Sequence, residues 1–245
     1  MPALLLIAHG SRDPRHAATV AALVEEVRAQ RPGTEVATAY LDHCAPRIPQ
    51  VAGRLADAGD AVAVPLLLNR AFHAKHDIPA ALRAAGSRLP VAEVLGPSPL
   101  LLAALDRRLA EAGLDVTSPA VRARTGVVLA AAGSSDPAAD AATRAVAAEW
   151  RRTRGWAAVE VAYASATGPR VPDALAALRT AGAERTAVSP YLLAPGLLPD
   201  RITAAAAGAD VLADTLGPAP ELATLLLERY DEARQTVQTV PALTA

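Results

Sequence analysis

The chain carries one series of motifs twice, and no other feature limits its fold so tightly. Ala8-His9-Gly10-Ser11-Arg12-Asp13-Pro14 lines up with Ala131-Ala132-Gly133-Ser134-Ser135-Asp136-Pro137 at an offset of 123 residues. The same offset takes Ala39-Tyr40 to Ala162-Tyr163 and Pro46-Arg47 to Pro169-Arg170. At 125, Pro65-Leu66-Leu67-Leu68 maps onto Pro190-Tyr191-Leu192-Leu193, and at 121, Leu95-Gly96-Pro97-Ser98-Pro99 maps onto Leu216-Gly217-Pro218-Ala219-Pro220. The order is preserved and the drift is small. The offset is half of the 245 residues, so the pattern is a duplicated domain rather than a solenoid of short repeats. The expected halves are 1–116 and 124–245, with a linker around 113–125.

Each half alternates short apolar runs with longer periodic ones. Strand-like runs fall near 3–8, 34–40, 61–68 and 91–95, then near 126–131, 158–163, 185–191 and 210–213. They are continuous and rich in Val, Leu, Ile and Ala, as strands buried on both faces of a parallel sheet are. Helical stretches lie between them, near 14–30, 47–58, 78–86 and 98–112 in the first half. Asp13 before Pro14 makes a good helix start, and Asp77 before Ile78-Pro79 resembles it. The fold class is therefore α/β, with two tandem domains, each a small open parallel sheet flanked by helices through right-handed crossovers. Residues after about 236 read as a loosely held tail.

Composition excludes several classes of function. Lys plus Arg is 24 against 25 Asp plus Glu, a net charge of -1, which argues against a nucleic-acid binder acting through a broad basic surface. Cys44 is the only cysteine, so no internal disulfide framework exists and a reducing, cytoplasmic setting is expected. The apolar opening Met1 to Ala8 lacks a basic flank and reads as a strand, not a signal peptide. No run approaches the roughly 18 apolar residues of a membrane span.

In an open parallel sheet ligands bind beyond the carboxyl ends of the strands. There the first half places His9-Gly10-Ser11, then Asp42-His43-Cys44, then His73 to Asp77. The matching positions of the second half are Ala132 for His9, Ser165 for Asp42 and Leu198 for His73. If these ionisable groups merely held the fold, the second copy would need them too. Two imidazoles and a carboxylate suit Fe(II), Co(II), Ni(II) or Zn(II) better than Mg or Ca. Arg12, Arg47 and Arg70 lie near the same edge and are candidates to pair with substrate carboxylates, with Ser11 and His76 as further candidate contacts. Gly10 is read as a place where a ligand approaches the backbone. Of His43 and Cys44, one is expected to point into the core, and His16 is read as an exposed helix residue.

Leu5-Leu6-Ile7-Ala8-His9-Gly10-Ser11-Arg12 resembles the opening of the sirohydrochlorin chelatases, the class II chelatases of siroheme and cobalamin synthesis. His73-Ala74-Lys75-His76-Asp77-Ile78-Pro79 resembles their second signature, and Asp42 follows the second strand where the family carries an acidic residue. Both halves together look like the long form with two fused domains. Three positions depart from the pattern: Ala71 where Gly is common, Asp42 where Glu is usual, and His76 where Glu is common. The resemblance implies insertion of Fe2+ or Co2+ into sirohydrochlorin in a cleft between the domains. His9 and His73 would be metal ligands and proton acceptors, and Asp42 a supporting ligand. Neutral imidazole suits both tasks, since its ordinary pKa of about 6.5 lets it bind a metal and accept a proton near neutrality. The arginines would orient the acidic macrocycle. The metal is a substrate, and without a Gly-x-Gly-x-x-Gly or P-loop no organic cofactor is implied.

Two other readings compete. A carrier of metal or tetrapyrrole could use the same ligands. A histidine phosphatase would have Arg before the histidine, where this chain has Ala8. The expected assembly is a monomer or weak homo-oligomer, without nucleic acid or membrane. The choice among iron, cobalt and nickel is left open.

Overall fold

The computed structural model describes residues 3–56, 61–69, 76–165 and 168–239. The elements run β1 (Ala3–Ala8), α1 (Pro14–Gln30), β2 (Glu35–Tyr40), α2 (Ile48–Ala56), β3 (Ala61–Pro65), α3 (Ile78–Ala84) and α4 (Pro99–Glu111). They continue with α5 (Pro119–Arg122), β4 (Thr125–Ala131), α6 (Pro137–Arg154), β5 (Ala158–Tyr163), α7 (Val171–Thr180), β6 (Arg185–Pro190), α8 (Leu197–Ala205), β7 (Val211–Leu212) and α9 (Pro220–Thr239). Every strand pairing is parallel, in the orders β2-β1-β3 and β5-β4-β6-β7. The α/β class and the duplication are as the sequence predicts.

Each central strand is apolar because it is covered on both faces. Leu4, Leu5, Leu6 and Ile7 of β1 are all fully buried, as are Val127, Val128 and Leu129 of β4. On one face of β1, Leu5 and Ile7 pack with Ile48, Val51 and Leu55 of α2 and Leu82 of α3. Asp13 and Asp136 cap α1 and α6 identically, each carboxylate accepting the second helical N–H, from Arg15 and Ala138, at 2.9 Å. The proline that follows each cap lacks the N–H a first helical residue could not use. Asp77 does not repeat this. It is itself helical (φ -72°, ψ -45°) and makes no side-chain cap, because its helix begins with a π-helical turn at His76.

Three expectations need correction. The run at 91–95 is not a strand, and only a single bridge joins Ala63 to Val91. In the second sheet, Asp210 N–H donates to Thr186 O, and the Asp210 carboxylate accepts from Thr186 N–H and Oγ1, which holds β7 in place. The counterparts are Leu89 and Ala61, which lack that clamp, and Leu89 N–H turns to Ser87 Oγ instead. The linker region contains a helical turn, α5, capped by Ser118. The tail is helical as far as Thr239, beyond the expected end near 236.

The chain divides into two compact units that cut it differently from the halves 1–116 and 124–245. Unit 1 comprises Met1–Ser98 and Pro218–Ala245, and unit 2 is Pro99–Gly217. Both crossings fall at the duplicated Leu-Gly-Pro motif. Within unit 1, α9 packs on α1 and β3, and within unit 2, α4 packs on β6.

Candidate metal-handling site

Strand order places the site. From β1 the chain moves to β2 on one side and then to β3 on the other, so the carboxyl end of β1 is a switch point, where crevices form in sheets of this kind. His9 is the first residue past that end and is half-buried. The β1–β2 ladder continues beyond the strands through Leu41 N–H to Ala8 O at 3.0 Å and Asp42 N–H to His9 O at 2.8 Å. His9 and Asp42 are thereby neighbours on adjacent strand ends. The His9 Nδ1 lies 3.1 Å from Gly10 O. A carbonyl can only accept, so this bond requires the proton on Nδ1 and puts the neutral ring's lone pair on Nε2, one of the two tautomers through which an imidazole binds a metal.

Asp42 is exposed and ionised. The His43 N–H at 2.8 Å and then Arg47 Nη1 at 3.0 Å hold its carboxyl below the usual range. His43 has a left-handed backbone (φ 61°), its Nε2 lies 3.5 Å from the Asp42 carboxylate, and its ring centroid is 6.4 Å from that of His9. Cys44, not His43, turns inward, its Sγ 3.0 Å from Ser11 O. His16 is half-buried rather than exposed. It stacks obliquely on Tyr40 at 6.4 Å, its Nδ1 lacks a partner among the described residues, and burial followed by the nearby His9 lowers its pKa.

Comparing the two copies sorts the remaining candidates. Ser11 Oγ accepts Asp13 N–H at 3.1 Å, and Ser134 Oγ accepts Asp136 N–H at 3.0 Å. Arg47 Nη1 donates to Leu41 O at 2.6 Å as well as to Asp42, and Arg170 Nη1 donates to Tyr163 O at 2.9 Å. Gly10 (φ 91°) and Gly133 (φ 89°) have no room for a Cβ, which would overlap the carbonyl oxygens of Asp42 and Ser165 respectively. On the side where a Cβ would stand, Gly10 lies against the loop after β2. Ser11, Arg47 and Gly10 thus do the same loop-holding work as residues in the copy that lacks the histidines. Arg12, three residues after His9 in the chain, is exposed, and His76 is exposed at the turn into α3. His73 and Arg70 lie outside the described residues. Among the described residues, no three His, Cys, Asp or Glu side chains converge as a metal-binding group.

Residues 3–112 and 126–233 each match the CbiX family model. The chain belongs to the CbiX family. Among curated CbiX-like relatives, the sirohydrochlorin ferrochelatase of Priestia megaterium is 29% identical over 209 residues, covering 82% of this chain and 77% of the relative. The sirohydrochlorin cobaltochelatase of the same organism is 28% identical over 262 residues, covering 95% and 80%. The fold also matches the structure of SirB from Bacillus subtilis with Fe3+, at a TM-score of 0.79 and 24% identity over 97% of this chain and 98% of that one. Both CbiX repeats are present, and only the first carries the histidine at the end of its central strand.

Proposed function

We propose that this CbiX-family chain is a sirohydrochlorin chelatase, a lyase that inserts Fe2+ or Co2+ into the tetrapyrrole with His9, His73 and Asp42 as its metal-handling residues. The observation that carries the reading is His9 itself. It stands at the switch point of unit 1 with Nδ1 engaged by Gly10 O, while the matching position of unit 2 is Ala132. Membership of the family across both repeats supports the reaction class.

Insertion exchanges one divalent ion for the two pyrrole N–H protons, so the site must hold the ion loosely and accept protons. Imidazole Nε2 offers one lone pair for either task in turn. Asp42, kept ionised by His43 N–H and Arg47, supplies negative charge beside the ion without being buried. Arg12, exposed three residues after His9, is the described arginine assigned to a substrate carboxylate in this reading, with Arg70 as a further candidate from the sequence.

The test follows the absorbance change of sirohydrochlorin with Co(II) or Fe(II). His9→Ala and His73→Ala should each slow metallation at least about tenfold, roughly 1.4 kcal/mol of barrier. Wild-type rates in either variant would remove that residue from the site. A carrier would stop at one equivalent of metallated product per chain, whereas a chelatase continues.

A further inference from the structure

Both sheets end in an edge strand of the same kind, yet among the described residues a side chain caps only one of them. In β2, Leu41 N–H points to β1 while Tyr40 N–H points away, to Pro46 O, so even-numbered residues face the open side. One of these outward groups, Val36 O, accepts from Arg28 Nη2 at 2.9 Å. Glu25, one turn earlier on α1, holds the other end of that guanidinium, its Oε1 2.6 Å from Arg28 Nη1.

In β5 the same alternation turns Val159 and Val161 outward, because Ala164 N–H bonds Ala131 O and Tyr163 N–H bonds Pro169 O. The repeat counterparts of Val36, Arg28 and Glu25 are Val159, Arg151 and Ala148. Alanine cannot hold the guanidinium over the strand. Among the described residues, the Arg151 guanidinium makes no hydrogen bond or ion pair, and its backbone carbonyl accepts from Gly155 N–H. Where the cap lies in unit 1, unit 2 has a groove of about 570 Å³ lined by Arg144, Ala148, Arg151, Arg152, Val159 and Val161, among others. Glu160 is the one carboxylate in its lining. Arg144 and Arg152 are partly neutralised by Asp140 and Glu149 on their own helix, and Arg151 is not.

An unpaired strand edge beside a helix accepts an extended chain as an added strand. We infer that the β5 edge of unit 2 is a docking site for an extended acidic segment of a partner protein, which pairs with Val159 and Val161 and sets its carboxylates against Arg151 and its neighbours. Charge selects this occupant. A second copy pairing antiparallel about Glu160 would place two carboxylates directly opposite each other. A small polycarboxylate would engage the arginines but leave the outward backbone groups unused.

The probe is a fluorescently labelled octapeptide of alternating glutamate and valine, titrated into the full-length protein and followed by anisotropy, with a lysine–valine peptide as control. The acidic peptide should bind and the basic one should not. Ala148→Glu restores the carboxylate that pins the arginine in unit 1, and should weaken binding at least tenfold. Val159→Pro removes an outward N–H without touching the ladder to β4, and should do the same. Both variants should keep the melting temperature and the metallation rate, since Ala148 is exposed, the Val159 N–H takes no part in the ladder to β4, and both residues belong to unit 2 whereas His9 belongs to unit 1. Three results would overturn the inference. One is no binding at millimolar peptide. Another is binding indifferent to Val159→Pro but competed by citrate, which would make the groove a polyanion site. The last is a dimer that Val159→Pro dissociates, which would assign the edge to a second copy of this chain.

Discussion

Gly10 and Gly133 show how the first loop of each unit is built. Both have a left-handed backbone, and both lie against the carbonyl of the loop after the neighbouring strand. Gly10→Ala should therefore cost about 3 kcal/mol, because the new Cβ is both strained and obstructed. Gly33→Ala, with a similar φ of 90° but open space around it, should cost only about 1 kcal/mol, and urea unfolding of the two variants would check the contrast. His16 gives a pH signature. Its pKa is lowered by burial, so the unfolded chain takes up its proton first as pH falls below about 6.5, and stability is lost through that window. His16→Ala, the residue of the second copy at Ala139, should remove this contribution. The melting temperature of the native chain should fall relative to the variant between pH 8 and 5, and a constant gap would refute it. The sequence alone points to His9 and Asp42, because those residues differ between the copies. Ser11, Arg47 and Gly10 recur as Ser134, Arg170 and Gly133, yet the sequence reading takes them as candidate contacts, because only the folded loops show the bonds and close approaches that both copies share. The inward turn of Cys44 and the half-burial of His16 depend on how the loops fold back, which periodicity does not encode.

Among the elements, α4 and α9 do equivalent work on different units. Arg108 of α4 donates from Nε (2.9 Å) and Nη2 (2.8 Å) to Leu216 O. Its counterpart Arg229 of α9 donates to Val94 O at 3.0 Å and Leu95 O at 3.2 Å. Each guanidinium is largely buried, and each closes the Leu-Gly-Pro turn of its unit. Arg229→Ala should leave those carbonyls unpaired and cost about 2 kcal/mol, with Arg108→Ala similar, measured by chemical unfolding. Strand and helix positions are legible in the sequence to within a few residues for β1, α1, α4 and β5, where apolar runs and the prolines at helix starts agree. The lack of a fourth strand in unit 1 is not, because β7 of unit 2 depends on a clamp between Asp210 and Thr186 that the first copy does not have.

At the scale of the molecule, the sequence repeats and the compact units do not coincide. Unit 2 is one continuous stretch, 99–217, whereas unit 1 needs both ends of the chain. The fragment 99–217 should therefore melt cooperatively when expressed alone. The fragment 1–116 should not, because it lacks the α9 cover over α1 and β3 and carries an α4 with no β6 to rest on. Calorimetry of the two fragments would decide, and a cooperative transition in 1–116 would contradict the division. The motif offsets reveal the duplication but not this division, since a repeat records ancestry and a packed unit records which apolar faces meet.

That crossing pattern bears on how such a chain could arise. A polypeptide with a single repeat would finish in a helix belonging on someone else's sheet, so it could be complete only by trading that helix with a twin. Joining two such polypeptides end to end makes the trade internal. It then survives any dilution, and one member of the pair is free to lose its histidines.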